Sequence, residues 1–248
     1  PYTNDFIPTG IAVDTLGDVT IAGTTGLGLP TTSGVVGPQF PNAYVNVENP
    51  SAGFVLQINP SASAINFATY LPGTDFDGGL TVGATGNLYL AGGTGETNLP
   101  VSSNAYEKTI SPNSEGESAA GYIMELNPQA TSVVAATYLG ANSTSSYGFL
   151  DLALDSHGDV FVGGHAVSQS FPLQNPYVTR FQYSESTADI ILAEMSPDLR
   201  SLEFGSFLSA TSGSFPGSLF AGLAVDQSNN LVVAGTTLAL NFPTTSGS

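Results

Sequence analysis

Cysteine and tryptophan are absent, and only three basic residues, Lys108, Arg180 and Arg200, occur in 248 positions. Without cysteine there is no disulfide framework, no thiol nucleophile and no thiolate metal site. Against the three bases stand twenty Asp and Glu, leaving a net charge of −17. That surplus repels phosphate backbones, which excludes nucleic acid as a partner, and it disfavours anionic membrane surfaces. No run of eighteen apolar residues occurs, so no segment reads as inserted in a membrane as a helix. Nor does a basic stretch followed by an apolar one open the chain, so any export signal is expected to be removed or to lie upstream. What is present is ample core material: 41% hydrophobic residues, including fourteen Phe and ten Tyr.

That material is arranged as a repeat of about seventy residues. Leu29-Pro30, Leu99-Pro100, Phe171-Pro172 and Phe242-Pro243 mark it, with prolines 70, 72 and 71 residues apart. Asn59-Pro60, Asn127-Pro128 and Ser196-Pro197 keep the same pitch, and ten residues after each proline stand Tyr70, Tyr138 and Phe207. A supersecondary unit recurring at this period buries its apolar surface against its neighbours. The chain therefore reads as one repeat domain over 1–248, with units near 6–75, 76–147, 148–218 and a partial one at 219–248.

Within a unit the hydrophobic period is two, which predicts strands. The first two are short and joined by a tight turn: Ile11–Val13 and Val19–Ala22, Leu80–Val82 and Leu88–Ala91, Leu152–Leu154 and Val160–Gly163, Leu223–Val225 and Leu231–Ala234. After a longer loop come Phe54–Ile58 and Ala64–Leu71, Tyr122–Leu126 and Val133–Leu139, Ile190–Met195 and Leu202–Leu208. No capped helical period stands out. The turn carries Asp14, Gly83, Asp155 or Asp226 in its first place and Gly17, Gly86, Gly158 or Asn229 in its fourth. The fourth place suits a left-handed backbone, and an aspartate in the first can accept turn amides. Gly83 shows that the carboxylate is an aid rather than a requirement. The interval between the two proline markers varies as 30, 28 and 25 residues. The loops near 31–52, 101–120 and 173–188 are thus where binding specificity is expected.

The stretch Leu223-Ala-Val-Asp226-Gln-Ser-Asn229-Asn230-Leu-Val-Val-Ala-Gly235-Thr236-Thr237, followed by Phe242-Pro243-Thr244, resembles the bacterial SBBP repeat of seven-bladed β-propellers. So do Gly53-Phe-Val-Leu-Gln-Ile-Asn59-Pro60 and Ala136-Thr137-Tyr138-Leu139-Gly140. The resemblance covers nearly the whole chain, with one departure: the family's third-strand lysine is replaced by Gln57, Glu125 and Glu194. It implies an all-β fold, a β-propeller of four-stranded antiparallel blades with about three and a half blades here, an incomplete ring. The remaining blades are expected from a parent polypeptide or a partner chain. Two copies would not tile seven blades, since eight first pairs would meet only six second pairs.

Candidate chemistry is sparse. The recurring turn aspartates read as structural, because catalytic residues are rarely demanded by every copy. His157 and His165, the only imidazoles, stand at opposite ends of one strand about 20 Å long, too far apart to share a metal. No nucleophile elbow or phosphate-binding loop occurs. Asp75-Phe-Asp77-Gly78 resembles the start of a calcium loop but lacks the remaining ligands, which leaves Asp75 and Asp77 as the candidate calcium ligands and calcium as the one cofactor to consider. Glu115 and Glu117, with Asp75 and Asp77, are loop acids from which a glycosidase-like pair could be drawn. Tyr44, Tyr106, Tyr177 and Tyr183 suit either stacking on sugars or packing between blades. Asn142-Ser-Thr144 matches the acceptor pattern for N-linked sugar.

Low lysine with abundant Ser, Thr, Gly and Asn is a habit of exported bacterial proteins. The expectation is a secreted or cell-surface repeat protein acting as a non-catalytic scaffold, recognition or adhesion module, whose partners are a glycan, a cell-surface component or other copies of itself. The rivals are a propeller-type polysaccharide hydrolase or lyase, and a fibre subunit pairing strands between chains at 5–13 or 231–237.

Overall fold

The computed structural model of the chain describes residues 6–41, 51–74, 78–110, 120–140, 149–166, 169–179, 189–208, 218–237, 242 and 244–245. Among them there are only strands and turns. Four strands, β1 (Ile7–Val13), β2 (Val19–Thr25), β3 (Ala52–Ile58) and β4 (Ile65–Tyr70), form a first antiparallel sheet in chain order. A second sheet repeats it with β5 (Leu80–Val82), β6 (Leu88–Thr94), β7 (Ala120–Leu126) and β8 (Val133–Leu139). The third contains β9 (Phe149–Leu154), β10 (Val160–Ala166), β11 (Asp189–Met195) and β12 (Leu202–Leu208). A two-stranded hairpin, β13 (Ser218–Val225) and β14 (Leu231–Thr237), makes the fourth. No sheet closes on itself. Most first strands run longer than the sequence period suggests, because their early residues pair across a register shift, as between Pro8 and Gly10 or Phe220 and Gly222.

The sheets stack face to face in chain order, and the core lies between them. Ala22, Val55 and Phe67 of the first sheet meet Leu90, Met124 and Tyr138 of the second, all buried. Ala91, Ile123 and Leu139 on the other face of the second meet Leu152, Val162 and Ala193 of the third. Leu192 and Phe204 of the third meet Phe220, Leu223 and Val233 of the hairpin. The first strands run together along this stack, β1 against β5, β5 against β9, and β9 against β13. They approach so closely that a Cβ on Gly10 would lie 2.8 Å from Leu80 Cβ, and one on Gly79 would lie 2.7 Å from the Asp151 Cα. Only a residue without a side chain fits there.

The fourth strand's aromatic explains two of the sequence markers together. Tyr70 Oη accepts the amide of Leu29 at 3.0 Å and donates to Gly26 O at 3.3 Å. Tyr138 Oη does the same with Leu99 N at 3.1 Å and Glu96 O at 2.8 Å. The Leu-Pro loop is therefore pinned by the phenol some forty residues downstream. From that anchor the loop lies along the outer strand: Thr32 N bonds Ala68 O, Tyr70 N bonds Gly37 O, and Ser102 N bonds Ala136 O. In the third sheet Gln174 and Gly205 exchange both backbone bonds. The described parts of the loops expected to carry specificity thus cover sheet edges, which would otherwise be templates for another chain.

The same loops clip neighbouring sheets. Val36 N donates to Ala130 O at 2.9 Å, and Tyr106 N donates to Leu199 O at 3.1 Å. Both acceptors stand in the corner between third and fourth strands, with left-handed φ of +50° and +57°. A non-glycine residue there is strained by about a kcal/mol. Ala130 and Leu199 are both fully buried in the core, whereas Ala62, at the same corner of the first unit with φ of +52°, is exposed, so burial does not account for the conformation.

Candidate functional site

All four first-pair turns have one backbone design. The amide of the first residue bonds the carbonyl of the fifth, and the amide of the fourth returns to the first carbonyl, at 2.8–3.2 Å throughout. Gly17, Gly86 and Gly158 take φ of +84°, +84° and +89°, and Asn229 takes +60°. Where the first residue is aspartate, its Oδ1 accepts two more amides. Asp14 takes those of Leu16 and Asp18, Asp155 those of His157 and Asp159, and Asp226 those of Ser228 and Asn230, each at 2.8–2.9 Å. The Gly83 turn has the same backbone bonds without them.

The third turn differs from the rest. Asp155 Oδ2 lies 2.9 Å from His157 Nδ1, with the aspartate side chain nearly buried and the imidazole 71% exposed. The hydrogen bond and charge of Asp155 raise the His157 pKa. Burial pushes Asp155 up, but the His157 ring, the turn amides and the imidazole charge outweigh it and hold it below the usual carboxylate range. Asn229 bridges from the hairpin sheet: its Oδ1 accepts Ser156 N at 3.2 Å, and its Nδ2 donates to Ser156 Oγ at 2.9 Å. Ligand atoms of Asp155, His157 and Asp159 lie within 4.8 Å of one another, the spacing a metal ion would require. Chemically the set is half committed. An Nδ1 that donates to a carboxylate has no lone pair for a cation, and Asp155 Oδ1 already holds two amides. The geometry reads as a charged turn.

Beside this turn the third-strand position held by Gln57, Glu125 and Glu194 shows how one site diverges between copies. In the first sheet Gln57 Nε2 donates to Thr20 Oγ1 at 3.2 Å, and its Oε1 accepts Asn66 Nδ2 at 3.0 Å. In the second, the buried Glu125 Oε1 accepts Asn87 Nδ2 at 2.6 Å and Tyr89 Oη at 2.8 Å. Burial and that carboxylate raise the Tyr89 pKa strongly. In the third sheet Asp159 and Phe161 occupy the places of Asn87 and Tyr89, so both donors facing Glu194 are gone. Burial and the charges of Asp159, Asp155 and Glu203 raise the Glu194 pKa. Burial and the Asp155 charge raise that of Asp159. No sequence period marks this exchange; only the cross-strand pairing of Glu125 with Tyr89 and of Glu194 with Phe161 does.

The turns of the second and third units and the end of β13 frame a groove of about 630 Å³. Thr85, Tyr89, Ser156, His157, Leu154 and Val225 are among its lining residues. A second groove of about 560 Å³ lies between the first and second turns, beside Asp14, Leu16, Gln57 and Thr85. His165, at the far end of β10, belongs to neither. Its Nε2 accepts the Phe220 amide from the next sheet at 2.8 Å, and burial lowers its pKa. The two imidazoles are thus separate devices. Tyr177 is 67% exposed and Tyr106 37% exposed, and neither lines the grooves. Asp75, Asp77, Glu115, Glu117, Tyr44, Tyr183 and Asn142 lie outside the described residues.

No family model and no curated protein matches the chain. Among solved structures, it is similar to a protein of unknown function from Dyadobacter fermentans, with 8% identity and a TM-score of 0.47 over 92% of this chain and 56% of that one. It is also similar to the major Malassezia sympodialis allergen Mala s 1, with 15% identity and a TM-score of 0.40 over 73% of this chain and 50% of that one. The chain therefore spans about half the length of both structures.

Proposed function

We propose that the chain is an arc of a β-propeller of the SBBP type, serving outside the cell as a non-catalytic recognition scaffold for neutral glycans. The repeat motifs and the run of first strands from sheet to sheet support the propeller reading. Low lysine and abundant Ser, Thr and Gly support export. The observation that carries the function is the groove between the turns of the second and third units and the end of β13. Its lining carries the hydroxyls of Thr81, Thr85 and Ser156 beside the Asp155–His157 pair. The carboxylates near it are spent on turn amides or faced by other acids, a setting that binds polyols and repels anions.

Titrating soluble neutral oligosaccharides while following His157 and Ser156 resonances by NMR tests this. Saturable shifts at those residues that disappear in Ser156→Trp are the expected result. Shifts absent for every neutral sugar would remove the recognition reading. Release of reducing ends would move the protein to the hydrolase class.

A further inference from the structure

Each end of the stack leaves part of the interface that repeats inside it uncovered; on the first sheet the rest of the outward face is already buried under Leu29 and Phe40, with Phe54 1% and Tyr70 3% exposed. On the face of the first sheet that no other sheet covers, Ile11 is 69% exposed, Val13 62% and Ile65 43%. Their counterparts one unit on, Leu80 and Val82, lie against the first sheet, and Leu80 is 8% exposed. One further on, Leu152 is 4% exposed and Leu202 8%. The opposite end shows the converse. On the hairpin sheet Val232 is 54% exposed and Ala234 is exposed. At the places of Val232 stand Thr20, Tyr89 and Phe161, and at those of Ala234 stand Ala22 and Ala91, all buried.

The internal joints also define the fit. In the first two, a large aliphatic of the later first strand sits where the earlier one has no side chain, Leu80 against Gly10 and Leu152 against Gly79; in the third, Asp151 takes the receiving place and its Oδ2 accepts the Leu223 amide at 2.9 Å. Ile11 is such an aliphatic without a receiving surface. Gly222 occupies the receiving place on β13, and a Cβ there would meet only Asp151 Oδ2 of the preceding sheet, at 3.2 Å.

We propose that the occupant of each face is a second copy of this chain: the Ile11 face of one copy docks on the Gly222–Val232 face of another. The contact continues the internal series of sheet joints, and it is apolar on both sides. It is heterologous, so association runs past a dimer unless the rotation closes a ring. It is also opposed by the −17 charge of each copy, so added salt strengthens it. No ligand at the groove is involved, and the contact stands or falls apart from that reading.

Sedimentation velocity across a wide concentration range, on the full chain, tests it. The wild type should associate reversibly and more tightly as salt rises. Ile11→Asp and Val232→Asp, both at exposed positions and checked for unchanged melting, should each weaken association by roughly tenfold or more. An equimolar mixture of the two variants should recover assembly, because it retains one intact pair of faces. A wild type that stays monomeric overturns the proposal. So does association that survives both substitutions, or that weakens with salt. If Val233→Pro abolishes assembly while the aspartates do not, the contact is edge pairing and the docking of faces is wrong.

Discussion

Leu152 and Ile11 hold the same place in their sheets, yet one is 4% exposed and the other 69%. The two differ only in whether another sheet lies against them. The second and third sheets are covered on both faces, while the first and fourth each have one open face. In a stacked repeat, stability is close to a sum of unit terms and nearest-neighbour joint terms. A residue's weight then follows from the joint it belongs to more than from its type. The comparison teaches that this chain has two joints between four-stranded sheets, a third made by the two-stranded hairpin, and two open faces.

The largest expected effect lies inside a joint. Leu152→Ala removes a buried side chain between the second and third sheets and leaves a cavity, costing about 2–5 kcal/mol. Urea denaturation with unchanged m-value would show it. A loss below about 1 kcal/mol would mean that the joint is looser than its burial implies.

Tyr138→Phe should rank next. It strands the Leu99 amide in a buried setting, at about 1–3 kcal/mol. The third unit already has Phe207 at this place, packed on Phe171 with ring centroids 6.1 Å apart. Phe207→Tyr should therefore bring no matching gain, which the same denaturation series would show. Smaller again is Asp226→Ala, which removes an acceptor for two exposed turn amides and should move the denaturation midpoint less than Tyr138→Phe does. The naturally carboxylate-free Gly83 turn sets the lower bound for what the backbone does alone.

The two histidines sharpen the comparison by titrating in opposite directions. The folded pKa of His157 is raised, so its contribution is complete below about 6.5, the unfolded value, and is lost as pH rises through the folded pKa. That of His165 is lowered, so unfolded chains bind more protons than folded ones once pH falls below about 6.5. Its contribution to the joint with the hairpin sheet is present above that pH and disappears as pH falls through the folded pKa. NMR titration of the two rings should place His157 above 6.5 and His165 below it. Equal midpoints would contradict both the Asp155 contact and the burial of His165.

How much of this could be read beforehand follows from how local each cause is. The strand pairs and the turn places at 17, 86, 158 and 229 depend on neighbours in sequence, so period and glycine position reveal them. The phenol of Tyr70 reaching Leu29 does not, because the partners stand 41 residues apart and a tyrosine in a strand signals only β preference. Ala130 and Leu199 give no hint of a left-handed backbone, since neither residue type favours that conformation. The exchange of Asn87 and Tyr89 for Asp159 and Phe161 was visible as letters. Its meaning depends on Glu194 lying across the strand, which only register supplies. The Asp155–His157 contact is local and within reach of sequence reasoning, yet a lone histidine in one turn of four carries no repeat signal.

The smallest effect should come from Ile11→Ala, and it bears most directly on the open faces. The substitution is chemically close to Leu152→Ala, and both residues hold the same place on a first strand, but only Leu152 faces a neighbouring sheet. At a dilution where the chain is monomeric, water already covers most of Ile11, so its truncation should shift stability by less than about 0.5 kcal/mol. At concentrations where copies dock, the same substitution should lower the melting temperature relative to wild type, because the docked state adds stability by mass action. Melting curves at the two extremes measure this difference without any new variant. A cost in the dilute protein comparable with that of Leu152→Ala would show that the first sheet's outer face is already packed, and the distinction between filled and open joints would collapse.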